Sequence, residues 1–419
     1  MRLPIIDRDP ARLAARHEAA VLWASRPALF ALLRAAPLAG PVRRVPRLGW
    51  VVTDPVLARA VLNDPGHFTL LGEGGVGHLW AQVLGDYVHR IFDGPGHADL
   101  RRRARDLFTD ATARPLVARV FAPALEPAVD RLRAGGEVDV ADLSRLLVGR
   151  MTAELLGLDP PDGGDRAFRE LFATGERLAR LALGSAASTA LPPDVVAEAK
   201  AIIGELTRNV PRAFAQAPAG TLLGRCRELG LSEQEASGLS ALLLVAGTET
   251  AATAMTRTLA LLHDTGQQHR LVADPELLPA AVREGLRVTT PAPVIGRGVS
   301  RDVAVGPARM RAGERVLVLT YAANNRAGGF DLDRPYAPES RQLWFGAGRH
   351  LCLGAALARA ELAHLVTGLL AAGPVRIVGR SAARGVLIPS YASLRVVTSS
   401  PRPRSSSASA GSPAPCGPR

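Results

Sequence analysis

Residues 231–263 constrain the fold more than any other stretch of this chain. Ser232 followed by Glu235 forms a capping box, the signature of a helix start. Behind it, Leu239-Ser240-Ala241-Leu242-Leu243-Leu244-Val245-Ala246 is apolar on almost every side, so a helix here offers no face to water and must be enclosed by others. A helix of this length buried all round demands a large, mostly helical domain, and 419 residues can supply one. Inside it lies a polar interruption, Ala246-Gly247-Thr248-Glu249-Thr250. A mid-helix glycine costs about 1 kcal/mol against alanine. Threonine can bond the carbonyl one turn back and bend the ladder. Polar groups in a buried helix need a reason of their own.

The rest of the pattern agrees with a mainly α domain. Residues 10–36 and 55–66 read as helical, and 98–270 as mostly helical with breaks at Pro160-Pro161, Gly163-Gly164 and Pro192-Pro193. Residues 40–55, 292–322 and 374–397 have strand character, and the glycine-rich 68–92 reads as loop. The folded unit is expected over 1–398. Ser399–Arg419 is Ser, Pro, Gly and Arg with hardly any large apolar residue, and is expected to be a disordered tail.

Charge and cysteine usage narrow the classes. The three cysteines, Cys226, Cys352 and Cys416, are far apart and odd in number, which argues against a disulfide framework and for a reducing compartment. The net charge of +12 is almost all arginine, with Lys200 the one lysine. No aromatic-interleaved basic patch or recognition-helix pattern accompanies it, so nucleic acid is not the expected partner and an acidic protein is. The first forty residues are broken by charges and hold no apolar run near the ~20 residues a membrane span requires. A cytoplasmic protein without a membrane anchor, acting as a monomer, is the expectation.

The chemistry is carried by Phe345-Gly346-Ala347-Gly348-Arg349-His350-Leu351-Cys352-Leu353-Gly354, followed by the helix-like Ala355-Ala356-Leu357-Ala358-Arg359-Ala360-Glu361-Leu362. A thiolate at a helix N-terminus is stabilised by free N–H groups and the helix dipole. Gly346, Gly348 and Gly354 let the chain turn tightly and a flat ligand approach. No second cysteine lies near, which suits a single-thiolate iron site better than zinc.

This loop, F-G-x-G-x-H-x-C-x-G with A-x-L-A-R-x-E behind it, resembles the heme-binding loop of the cytochromes P-450, the heme-thiolate monooxygenases. Two further motifs resemble the family in the same order. Ala246-Gly247-Thr248-Glu249-Thr250 looks like its oxygen-activation motif, and Glu284-Gly285-Leu286-Arg287 like its E-x-x-R. The resemblance covers roughly residues 10–397.

It implies a mainly α, single-domain cytochrome P-450 fold with small β-sheets and heme between the long central helix and the Cys-loop helix. The cofactor is heme b (iron protoporphyrin IX), with Cys352 as iron ligand. Ala246 and Gly247 would leave room for dioxygen, and Glu249 and Thr250 would relay protons. His97 and Arg101 (H-x-x-x-R), Arg297 and His350 would meet the propionates, with Phe345, Gly346, Gly348 and Gly354 shaping the cradle. Glu284 and Arg287 would grip an arginine ahead of the loop. The usual N-R-D-P reads Asn325-Arg326-Ala327-Gly328 here, so that arginine is Arg334 or Arg341, with Arg334 preferred.

The resemblance also implies electrons from NAD(P)H through a ferredoxin or flavodoxin and its reductase, received on a basic face from Arg101-Arg102-Arg103, Arg105, Arg349 and Arg359. The substrate would be a lipophilic small molecule in secondary metabolism, hydroxylated or changed by epoxidation, coupling or nitration. The family's pocket segments map to 70–90, about 168–190, 242–246, Val294-Ile295 and Leu387-Ile388, with His78, Trp80 and Tyr87 as polar or stacking contacts. A heme-thiolate sensor without turnover and a basic nucleic-acid-binding protein are the readings from other classes.

Overall fold

The computed structural model of the protein describes residues 9–85, 88–93, 95–158, 163–181 and 190–399. The expected tail beyond Ser399, together with Tyr87, Gly94 and the Pro160-Pro161 break, lies outside them.

The central helix is Glu233–Asp264, capped as its sequence requires: the Ser232 hydroxyl accepts from the Glu235 N–H, and the Glu235 carboxylate accepts from the Ser232 N–H. Helices Val140–Leu156, Asp165–Leu181, Leu278–Thr289, Ala355–Leu370 and Pro10–Ser25 all pack on it. Among the described residues it is the one helix long and apolar enough to cross a membrane, and here it is the buried core of the fold. It runs through Gly247 without a break. Thr248, Thr250 and Thr256 satisfy their hydroxyls on the carbonyls of Leu244, Ala246 and Ala252, so the polar insert leaves the helix unbroken.

Two contacts fix its neighbours. Arg257, fully buried, donates to the Glu18 carboxylate of Pro10–Ser25 and to the carbonyls of Thr289 and Pro389. Removing one partner of such a pair costs about 3–5 kcal/mol, because a buried charge is left alone. At Gly285 the helix Leu278–Thr289 comes so close that a Cβ would stand 2.3 Å from the Thr258 hydroxyl oxygen.

The described strands, in chain order, are β1 Val42–Val45, β2 Gly49–Val52, β3 Phe68–Thr69, β4 Val138–Asp139, β5 Ile295–Val299, β6 Val303–Val305, β7 Ala308–Met310, β8 Arg315–Val318, β9 Val375–Ala382 and β10 Tyr391–Thr398. They make a five-stranded sheet of order β1-β2-β8-β5-β3, a three-stranded sheet β4-β10-β9 and the hairpin β6-β7. Only β2 and β8 pair parallel in these sheets. The first sheet has its own small core around Val52, Phe68, Val316 and Val318, beside the large helical one.

Three sequence expectations change. Residues 10–36 split at Arg26, which is extended (φ −158) ahead of Pro27 and so ends the first helix. The expected loop 68–92 contains helices Val76–Leu84 and Val88–Phe92. Its glycines cluster ahead of the first of these because the chain folds on itself there, where a Cβ at Gly75 would sit 2.1 Å from the Leu70 carbonyl oxygen. The strand region 292–322 ends in a short helix, Thr320–Asn325.

Candidate active site

The cysteine loop is held by its own backbone. The Cys352 N–H donates to the Phe345 carbonyl at 2.9 Å. Gly346 and Gly348 adopt φ of +77 and +67, and at Gly348 a Cβ would lie 2.6 Å from the Leu62 carbonyl oxygen, so only glycine fits. Cys352 is densely surrounded on one side, which pushes its thiol up, while the Gly354 N–H, Arg101 and Arg359 pull it down. Its other side is open. It faces a cavity of about 550 Å³ that Arg101, Arg102, Arg105 and Arg359 also line. The Arg101 guanidinium donates to the Leu351 carbonyl, next to the cysteine. Arg102 and Arg103 pair with Asp99, and Arg359 with Asp110.

On the central helix, Ala246 and Gly247 are exposed, and a Cβ at Gly247 would meet nothing within 4 Å. Here the core helix turns an open face to space. The Thr250 hydroxyl donates to the Ala246 carbonyl at 2.8 Å. Glu249 points elsewhere and is only 7% exposed. Burial and the nearby Glu176 push its pKa up to about 8, against the opposing pull of Arg180. Burial thus favours the protonated form of Glu249.

A cluster of buried basic side chains lies at the loop. His97, in helix Pro95–Arg103, and His350 stack with ring centroids 4.7 Å apart. Arg297, on β5, is 4% exposed; its guanidinium donates to the Gly296 carbonyl, and no carboxylate pairs with it among the described residues. Burial pulls Arg297 down to about 10. Burial, with His350, Arg101 and Arg349, pulls His97 down to about 4, and its Nδ1 is buried without a partner. Asp93, absent from the sequence-derived set, is the single carboxylate at this cluster among the described residues: it accepts from His350 at 3.2 Å and from the Thr69 hydroxyl, and lies 3.7 Å from Arg349. Burial raises its pKa, but these bonds win and hold it at about 2. The one sequence signal for Asp93 was its place four residues before His97.

Glu284 and Arg287, 1% and 4% exposed, make a two-pronged ion pair at 2.9 and 2.7 Å. Arg334 Nε donates to the same carboxylate at 3.1 Å. Both arginines then bind the carbonyl of Gly329, and Arg287 also those of Asn324 and Gly328. Arg341 stays outside this network; its carbonyl accepts from Arg59.

Comparison with known proteins gives the family. The family model for Cytochrome P450 matches residues 263–372. Cytochrome P450-SU2 of Streptomyces griseolus is 33% identical over 347 residues, covering 77% of this chain and 79% of the relative. The chain belongs to the cytochrome P450 family. Nocardicin C N-oxygenase of Nocardia uniformis subsp. tsuyamanensis is 32% identical over 78% of this chain and 82% of its own length. A stronger but shorter match, 37% identical, spans 37% of this chain and 40% of the length of the putative cytochrome P450 YjiB of Bacillus subtilis. In fold, a mutant of P450 EryK in complex with erythromycin B superposes with a TM-score of 0.74 at 23% identity, over 94% of this chain and 99% of that one.

P450 enzymes hold heme iron on a cysteine, and the residues present fit that group. Cys352 is the one cysteine in a glycine cradle. The buried Arg297 and the orphaned His97 Nδ1 call for an anion that the protein does not supply, which is what a heme propionate brings. The open face at Gly247 leaves space for a flat ligand.

Proposed function

We propose that this cytochrome P450 is a monooxygenase that takes electrons from NAD(P)H through a ferredoxin or flavodoxin and its reductase, and transfers oxygen to a lipophilic small molecule. The observation that carries it is the pairing of a glycine-cradled Cys352 with a buried Glu249 one residue from Thr250. A sensor without turnover has no use for that acid and hydroxyl.

Heme, when bound, supplies iron on which dioxygen is reduced, and a thiolate ligand favours breaking the O–O bond. The protein's part is distributed over named residues. Cys352 would hold the iron, with Arg101 and Arg359 favouring its thiolate. His97, Arg101, Arg297 and His350 would orient the propionates. Ala246 and Gly247 would leave room for dioxygen. Glu249 stores a proton, and the Thr250 hydroxyl, now on the Ala246 carbonyl, rotates to pass it on. Leu242, Leu243, Val245, Val294 and Ile295 are partly buried apolar residues in the segments assigned to substrate. Their chemistry supports a lipophilic substrate, and the oxygenase relative supports a role in secondary metabolism; a cytoplasmic location is part of the same proposal. The arginines around the 550 Å³ cavity suit an acidic electron donor.

The test is the absorption spectrum of the reduced protein under carbon monoxide. A strongly red-shifted Soret band that disappears in Cys352→Ala supports the assignment. A band at the ordinary position, or no heme uptake at all, overturns it.

A further inference from the structure

About two turns past Thr250, the central helix carries Arg257, a charged residue to which the proposed oxygen chemistry gives no task. It is fully buried and faces the Glu18 carboxylate of helix Pro10–Ser25, which is buried too. Its Nε and Nη2 donate to that carboxylate side by side. Its Nη1 is spent on two backbone carbonyls, Thr289 at 2.8 Å and Pro389 at 3.3 Å. A buried ion pair adds little net stability over apolar residues of the same volume, so this one asks for another account. The two carbonyls supply it, because they belong to two different connecting segments of the fold.

Thr289 ends helix Leu278–Thr289, and the chain then turns through the buried Thr290 at φ +32. That conformation is strained for a β-branched residue and persists only where the surroundings impose it. Here they do. The Thr290 hydroxyl donates to the Arg287 carbonyl and accepts from the Asn324 amide at 3.1 Å, while Arg257 holds the carbonyl just before it. The turn leads to Val294 and Ile295, and brings Ile295 to the cysteine loop: a Cβ at Gly346 would stand 3.7 Å from its Cδ1. The buried Arg297 follows on the same strand. Pro389 comes directly after Leu387 and Ile388, in the link between β9 and β10. Each carbonyl on Arg257 thus belongs to a segment that the monooxygenase reading assigns to substrate.

We propose that Arg257 and Glu18 are positioning residues that set the shape of the substrate pocket, the guanidinium tying the central helix to both substrate-facing segments at once. Arg257 acts through the Thr289 and Pro389 carbonyls, not on substrate or heme. It fixes how far Val294, Ile295, Leu387 and Ile388 stand from the open face at Ala246 and Gly247. Glu18 holds the guanidinium in the orientation that lets Nη1 reach both carbonyls. A planar guanidinium with donors in fixed directions suits this task, and a lysine ammonium on a flexible stem does not. The inference rests on the monooxygenase reading and adds what sets its selectivity.

Two nitrogen ligands test it in the heme-loaded protein, each read by the Soret shift on binding. Imidazole needs only the iron, whereas 4-phenylimidazole also lays a phenyl ring against the pocket wall. The quantity of interest is the ratio of their affinities. In the double variant Arg257→Met, Glu18→Leu, apolar residues replace the pair and the fold is expected to hold. Imidazole affinity should then stay within about twofold of wild type, and 4-phenylimidazole affinity should fall about tenfold, because a pre-organised wall must now be ordered on binding. Arg257→Lys keeps the charge opposite Glu18 without the fixed donor directions, so the ratio should still fall about three- to tenfold. A charge that merely held the fold together would be rescued by lysine. A ratio within about twofold of wild type in Arg257→Lys overturns the positioning role, whether or not the double variant takes up heme. The carbon monoxide spectrum of the same samples keeps the two ideas apart. A red-shifted Soret band with an unmoved ratio removes only the positioning role, whereas absence of that band in wild-type protein removes the heme-thiolate reading itself.

Discussion

Two buried clusters of basic side chains lie in this molecule, and only one is complete. Around Glu284, two guanidinium groups share one carboxylate and spend their remaining donors on the carbonyls of the segment ahead of the cysteine loop. Around His350, the His97 imidazole and the Arg297 guanidinium have Asp93 as the only carboxylate among the described residues, and that carboxylate is turned to His350 and Arg349. The first cluster is finished architecture. The second leaves a buried guanidinium and an imidazole nitrogen waiting for an anion from outside the chain. Burial alone therefore does not mark a functional site. The mark is burial without internal compensation.

Breaking the finished cluster should have the largest effect. Glu284→Ala leaves two buried arginines unpaired and should cost about 3–5 kcal/mol in denaturant unfolding, with loss of heme incorporation. A loss below 1 kcal/mol would erase the contrast between the clusters. Next comes pH. His97 is held neutral with a pKa of about 4, whereas the unfolded chain binds that proton near 6.5. Stability present above pH 6.5 should thus fall as pH drops toward 4, by up to about 3 kcal/mol in heme-free protein. The heme-bound protein should lose less over the same range, since a propionate favours the protonated imidazole; identical pH curves for the two forms would count against an anion site.

Arg297→Met sharpens the comparison from the other side. It removes a charge-assisted contact to the incoming anion, so heme affinity should fall about ten- to a hundredfold. Stability of the heme-free protein should hold or rise, because an uncompensated charge has gone. Titration with hemin and urea melts read the two quantities separately. Smallest of all, Arg326→Ala removes an exposed pair with Asp54 and should change stability by about 0–1 kcal/mol. A larger loss would mean that the lock extends to Arg326.

Much of the site was legible because its parts are local words. The glycine-punctuated cysteine loop, the polar insert in the apolar helix and the i, i+3 pair of Glu284 and Arg287 each announce themselves within ten residues. Arg334, preferred over Arg341, is the one that the structure brings to Glu284. What sequence could not supply were contacts between residues unremarkable in their own surroundings. Glu18 is one charge among several in a first helix, yet it closes on Arg257, 239 positions away. Glu176 sits on an ordinary charged helix face until the fold sets it beside Glu249. The helices within 68–92 were hidden because glycines needed for one tight approach dominated the composition of the whole stretch.

Gly285 lies between the two residues of the lock, and its close approach to Thr258 has a bearing on how this chain can change over generations. Any side chain at 285 collides with a buried threonine 27 positions earlier, so the two sites cannot drift independently. A shrinking change at 258 must come first; only then does position 285 become open to alanine. The order of substitutions, and not merely their sum, decides which descendants keep the lock.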